Sequence, residues 1–168
     1  GGRREGFLRR LKKPIFAMDS TTIALVANCM PWAKHRRKKA AVKCHLSLNL
    51  QNHLPQAVCV EKARPHDSRF ARFLCNPLRD GSIVVADKAY VDFRHFRELT
   101  EDGIVWVVRA RRDTAFRAVR SLHTTVNPRI LADEVVVLAR VETAKKHPEG
   151  MRRIRALVEI DGKDRKME

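Results

Sequence analysis

The sequence predicts a mixed α/β sheet followed by a β-rich stretch, and three observations carry that expectation. Val42, Cys44, Leu46, Leu48 and Leu50 alternate with period two, the pattern of a half-buried strand. Two unbroken apolar runs, 83–86 and 104–108, stand further along with helix-like spacing of apolar residues before each. Beyond Arg112 the character shifts, and strand-like runs return at 135–141 and 154–160.

Taken in order, residues 14–22 read Pro-Ile-Phe-Ala-Met-Asp-Ser-Thr-Thr, an apolar strand ending in polar groups at Asp19. The alternating strand 41–50 follows, turns at Asn52-His53-Leu54-Pro55, and finds an antiparallel partner in 56–60. Asp67 or Ser68 caps a short helix with Phe70, Phe73 and Leu74 on its apolar face, and Asn76-Pro77 stops it. The run 83–87 suits a strand buried on both faces. Asp92 caps a second helix with Phe93, Phe96 and Leu99 inward and Gly103 as its stop. Another buried strand, 104–108, completes a β-β-β-α-β-α-β order. In the β-rich stretch a basic loop, 143–153, joins the two strands. Asp161-Gly162 then signals a two-residue hairpin. Only residues 163–168 remain for the return strand, so the hairpin is expected to stop unfinished.

The chain has 168 residues, room for one domain or one domain and part of another. Hydrophobic residues make up 44%, enough for a core, which argues against wholesale disorder. No apolar run approaches the roughly 18 residues of a membrane span. The opening Gly-Gly-Arg-Arg-Glu-Gly has neither an initiator Met nor a signal-peptide core. A secreted or membrane protein is therefore excluded, and the expectation is a cytoplasmic piece of a longer chain. Cys29, Cys44, Cys59 and Cys75 contain no Cys-x-x-Cys pair, which reads as reduced core thiols rather than a zinc site.

Lys and Arg total 35 against 19 Asp and Glu, a net charge of +16. Such an excess implies a polyanionic partner, and nucleic acid is the default. The charge is clustered in Lys34, Arg36, Arg37, Lys38 and Lys39, in Arg109, Arg111 and Arg112, and in Arg152, Arg153 and Arg155. Aromatic residues are only 6%, too few for a platform that stacks single strands, so contacts to duplex phosphates fit better.

Two carboxylates stand out. Asp19 follows Ile15-Phe16-Ala17-Met18, and Asp87 follows Ile83-Val84-Val85-Ala86. Strand-end carboxylates of an α/β sheet converge at one edge, where loops leave room for a ligand. A clustered pair repels itself unless a cation lies between, and hard oxygen donors select Mg2+ or Mn2+. Two such ions about 4 Å apart serve phosphodiester chemistry. The competing reading is that each Asp merely caps a turn or the next helix.

At these residues the sequence resembles bacterial insertion-sequence transposases of the DDE type, in the subclass with a downstream Tyr-Arg-Glu-Lys signature. The resemblance starts at Asp19-Ser20-Thr21-Thr22-Ile23, Pro31-Trp32-Ala33-Lys34 and Lys39-Ala40-Ala41-Val42-Lys43-Cys44-His45. It continues through Ala63-Arg64-Pro65-His66-Asp67-Ser68 and is sharpest over 81–93, which contains Asp87-Lys88-Ala89-Tyr90. Val107-Val108-Arg109-Ala110-Arg111 extends it toward the end of the chain. The resemblance implies a ribonuclease-H-like core over 1–112, interrupted by a β-rich insertion that begins at 113 and is cut off at 168. It implies that Asp19 and Asp87 are catalytic and bind Mg2+ or Mn2+. Lys88 stands where the family has Arg, which keeps the charge and loses the bidentate fork.

The expected partner is duplex DNA, both transposon ends and target. Lys34, Arg36, Arg37, Lys38, Lys39, Lys88, Tyr90, Arg109, Arg111 and Arg112 are the expected contacts. The full-length protein is expected to be a homodimer, associated with the bacterial nucleoid. The family's third carboxylate is a helical Glu spaced from Tyr, Arg and Lys, and no Tyr follows Tyr90. Neither Glu159 nor Glu168 fits that role, so the chain is expected to be inactive alone. Two rivals share the carboxylates: a ribonuclease-H-like nuclease of another kind, and a catalytically dead DNA-binding remnant.

Overall fold

The computed structural model describes residues 11–25, 34–35, 39–62, 66–122, 127–161 and 163–167. The chain divides into two compact units, Gly1–Val108 and Arg109–Glu168. The division falls just before the basic Arg109–Arg112 stretch rather than after it.

The first unit is a mixed sheet. Strand β1 (Ile15–Leu25) pairs antiparallel with β3 (Lys39–Asn49), which pairs antiparallel with β4 (Pro55–Lys62) and with the short β2 (Lys34–His35). On its other side β1 pairs parallel with β5 (Ile83–Ala86), and β5 pairs parallel with β6 (Val105–Val108). Three antiparallel strands running into two parallel ones, with helices as crossovers, form a ribonuclease-H-like mixed sheet. Those helices are α1 (Ser68–Cys75) and α2 (Phe93–Glu101), with a single 3₁₀ turn, Lys88–Tyr90, after β5.

One face of this sheet holds the core. Met18, Val84, Leu74, Phe96, Leu99 and Ile104 are buried together, and Trp106 packs flat on Phe96 with ring centroids 4.3 Å apart. Helix α2 starts as expected: the Asp92 carboxylate accepts from Arg94 N and His95 N, and Gly103 adopts φ 71° beyond its end. At that glycine an added Cβ would clash with the Asp80 carboxylate.

Several expectations need correction. β1 does not end at Asp19 but runs on to Leu25, because β3 continues to pair with it through Thr21, Thr22 and Ile23, where β-branched side chains favour extended backbone. Asp67 stands at the N-cap of α1 but makes no side-chain cap bond. Phe73 is 53% exposed; Ala71, Leu74 and Cys75 are the buried positions of α1. The strands β5 and β6 are not buried on both faces, since Val85, Val105 and Val107 lie open on the side away from the helices. Burial in the core pushes the Cys75 thiol up to about 12, and Cys44, Cys59 and Cys75 are free thiols.

The second unit is a four-stranded antiparallel sheet in the order β10-β9-β8-β7. Its strands are β7 (Phe116–Ser121), β8 (Ile130–Leu138), β9 (Met151–Ile160) and β10 (Lys163–Met167). The expected 143–153 loop instead holds the second half of a short helix, α3 (Val141–Ala144), and the start of β9. The hairpin at 161–162 is not left open: Lys163 pairs with Ile160 and Met167 with Ala156. Five return residues suffice because a two-residue connection, with Asp161 at φ 52°, sets the register at once. Leu138, Val136 and Met151 are buried on one face. Arg153 lies over the Phe116 ring at 5.3 Å. Asp133 is buried beside Arg152, which bonds both its oxygens and holds its carboxyl below the usual range.

Candidate functional site

The register of β1 and β5 builds the site. Ile15, Phe16, Ala17 and Met18 lie opposite Ile83, Val84, Val85 and Ala86 in parallel. Asp19 and Asp87 are the next residue on each strand, and neighbouring strands lie about 4.8 Å apart. Met18 and Ala86 turn toward the helix-covered core, so strand alternation turns Asp19 to the opposite face. Asp87 keeps an extended backbone, with φ −76° and ψ 162°, so the same alternation carries through it. Both residues are exposed. The Asp19 Oδ1 accepts the Ser20 N–H at 2.7 Å, which fixes one oxygen and leaves the carboxylate at the surface.

Beneath this pair, on the helix side, lies a polar group that the sequence did not single out as one unit. Ser20 Oγ is 3.1 Å from Asp67 Oδ2, and Lys43 Nζ pairs with Asp67 Oδ1. His45 Nδ1 is 3.0 Å from the Tyr90 hydroxyl, and the His45 ring stacks on Phe70 at 4.2 Å. Burial pushes the Tyr90 phenol up, and the charges of Asp67, Asp19 and Asp87 add to that shift. Burial lowers His45, which stays neutral. The sequence signal for this group was present in the His66-Asp67 block and in the alternation of β3, which puts Lys43 and His45 on one face.

The remaining expected residues fall in different places. Lys88 is exposed and directly follows Asp87. Tyr90 is 1% exposed, so it cannot reach a phosphate; its hydroxyl serves the core beneath the carboxylates instead. Lys34 and Lys39 belong to the β2–β3 hairpin, and Arg36, Arg37 and Lys38 between them lie outside the described residues. Leu25 pairs with Ala40, so this hairpin projects from the sheet end at which Asp19 and Asp87 emerge. It lies about 20 Å from Asp19 along β1, at roughly 3.3 Å per residue. Arg109, Arg111 and Arg112 open the second unit, where Arg109 and Arg112 are exposed. Glu159 is a strand residue of β9 opposite Asp164, in the unit that holds neither Asp19 nor Asp87.

The donor set suits a hard divalent cation: two carboxylates, side by side, at the surface. Among the described residues no group of three His, Cys, Asp or Glu side chains is placed to hold a metal ion. Asp67 does not complete one because both of its oxygens are taken up by Ser20 and Lys43 on the opposite face of β1.

A stretch of 114 residues is 27% identical to a probable transposase for insertion sequence element IS5377 of Geobacillus stearothermophilus, covering 68% of this chain and 29% of that protein. The chain thus spans under a third of that relative's length. Among solved structures, the piggyBac transposase synaptic complex with hairpin DNA matches 74% of this chain and 30% of its own, at 10% identity and a TM-score of 0.45. The family described as Transposase DDE domain matches residues 10–166. That span takes in both exposed carboxylates and nearly all of the second sheet, and the chain belongs to the transposase DDE domain family.

Proposed function

We propose that this chain is part of a DNA transposase that cleaves phosphodiester bonds and transfers strands with the help of a divalent cation. The single observation that carries the reading is the β1–β5 register, which brings Asp19 and Asp87 out beside each other. Asp19 and Asp87 would hold Mg2+ or Mn2+, as two carboxylates hold a hard ion. When bound, such an ion polarises a phosphoryl oxygen and lowers the pKa of an attacking water or hydroxyl.

The protein's own residues do the rest. Lys88 places a positive point charge next to Asp87, suited to a phosphate held at the carboxylate pair. The β2–β3 hairpin leaves the same sheet end, and the basic run Lys34, Arg36, Arg37, Lys38 and Lys39 in the sequence suits the backbone of a duplex that passes the site. Arg109, Arg111 and Arg112 are further candidates for phosphate contact and belong to the second unit, which we read as the β-rich insertion of the catalytic core. Among the described residues no helix is long and apolar enough to cross a membrane. The partner is duplex DNA, transposon end and target, engaged at the bacterial nucleoid by a full-length homodimer.

The test is a nicking and strand-transfer assay on duplex donor DNA in Mn2+, with the full-length protein that contains this chain. Asp19→Ala and Asp87→Ala should each abolish both products while leaving DNA binding in place. Retained activity in either variant contradicts the assignment.

A further inference from the structure

We propose that the open face of the second sheet grips a duplex backbone, through Arg117 and Arg120 on one edge strand and Lys163 and Arg165 on the other. The inference rests on duplex DNA as the partner and names a surface that no basic run in the sequence marks. Val136, Leu138 and Met151 are buried on one face of this sheet, so strand alternation turns Val135, Val137, Arg152 and Ile154 to the other. Arg117 lies opposite Val137 and Arg120 opposite Val135. Three residues apart on a regular strand, the two arginines would point to opposite faces. The irregularity between Ala118 and Arg120 takes up one residue, so both reach the open face, as a β-bulge re-aims side chains. At the far edge Arg165 lies opposite Val158, which alternation places on the same face as Ile154. Lys163, two residues before Arg165, shares that side.

All four residues are exposed. Among the described residues none of the four makes an ion pair or a side-chain hydrogen bond. The run that the sequence puts forward in this unit is by contrast neutralised within the sheet: Arg152 pairs with Asp133, and Arg153 and Arg155 with Glu134. Asp133 is the only carboxylate that the described strands turn to the open face, and Arg152 already holds it. Four cations without a carboxylate of their own repel one another and suit a polyanion. The edge strands β7 and β10 stand three strand spacings apart, about 14 Å. A duplex major groove is about 12 Å wide, so each charged edge can reach one of the two backbones that flank it. Between the edges Val135, Val137, Ile154 and Val158 offer no hydrogen bonds to base edges. The contact therefore holds phosphates and carries no sequence preference.

The experiment measures duplex binding of the full-length protein by fluorescence anisotropy across a salt series, with a thermal melt of each variant to establish that it folds. Arg117→Gln with Arg120→Gln, and Lys163→Gln with Arg165→Gln, should each flatten the log–log salt slope by about 1.8, since each phosphate contact contributes about 0.9. Arg155→Gln with Lys166→Gln removes two charges from the opposite face and should leave the slope unchanged. Equal flattening in all three pairs would show that net charge, and not this face, sets the slope. A parent-like slope in both open-face pairs would remove the face from the interface. Either result overturns the proposal. Binding to phosphatidylserine vesicles that the open-face pairs weaken, with duplex binding left as in the parent, would assign the face to a membrane surface and overturn it as well. Duplex binding of the parent that does not respond to salt would instead overturn the DNA reading on which the proposal rests.

Discussion

Asp67 stands at the head of α1 yet gives its carboxylate to Lys43, 24 residues earlier on β3, and not to the helix behind it. Asp92, at the head of α2, does cap, accepting from two backbone N–H groups. The two aspartates therefore fail differently when their interactions are removed. Asp92→Ala should cost about 1 kcal/mol, the usual loss of a cap. Lys43→Met should cost about 2 kcal/mol or more, because it leaves a buried carboxylate without its cation. Urea unfolding of both variants decides the order, and a smaller loss for Lys43→Met would contradict it.

Acid should destabilise the first unit before its carboxylates titrate. His45 and His95 are both held below their ordinary value, chiefly by burial. A depressed histidine is neutral in the fold while the unfolded chain takes up a proton. Stability is then fully present above about pH 6.5 and falls as pH drops toward the folded value. Each histidine adds a slope of at most about 1.4 kcal/mol per pH unit in that window. Melting temperatures between pH 7.5 and 5 should decline in the parent and decline less steeply in His95→Gln. A flat profile would show that neither histidine stays neutral.

The net charge of +16 predicts duplex binding that weakens steeply with salt. Each phosphate neutralised should contribute about −0.9 to the log–log slope. Replacing Arg36, Arg37, Lys38 and Lys39 with Ala should flatten the slope by roughly one unit for each residue that touches phosphate. Arg109, Arg111 and Arg112 should behave likewise. Fluorescence anisotropy with a labelled duplex of unrelated sequence checks this, and an unchanged slope in both sets would remove the basic runs from the interface.

The open side of the first sheet should tolerate polar change. Val107 is 53% exposed and Val60 is likewise 53% exposed, on the face away from the helices, whereas Leu74 is fully buried. Val107→Thr should cost less than about 1 kcal/mol, against about 2–5 kcal/mol for Leu74→Ala. The same face presents apolar side chains beside the two carboxylates, and exposed apolar patches promote association. Val60→Thr with Val107→Thr should therefore lower light scattering at high salt, where the positive charge no longer keeps molecules apart. Equal scattering in parent and variant would show that this face is not adhesive.

Much of the first unit was legible from periodicity. The alternation of β3, the Asp92 cap and the Gly103 stop each state a local rule that the fold obeys. The length of β1 was not legible, because its outer half is held by pairing with β3 rather than by apolar residues of its own. β7 was missed because Phe116–Ser121 carries two arginines and is almost wholly exposed, so it has no buried face to reveal. Tyr90 stands two residues after Lys88, and only the tertiary contact with His45 shows that its hydroxyl points inward. Asp19 and Asp87 were readable because a charge after four apolar strand residues has no local reason to be there. Their adjacency needed the parallel register.

The most direct test of the account is a double-mutant cycle on Mn2+ binding with Asp19→Ala, Asp87→Ala and the double variant, followed by electron paramagnetic resonance or calorimetry. Two residues that share one ion couple strongly, so their losses do not add. The account predicts that each single substitution removes nearly all binding at the site and that the double variant binds no more weakly than either. Independent, additive losses, or a parent-like affinity in either single variant, would show that Asp19 and Asp87 do not hold a common cation, and would contradict the account at its centre.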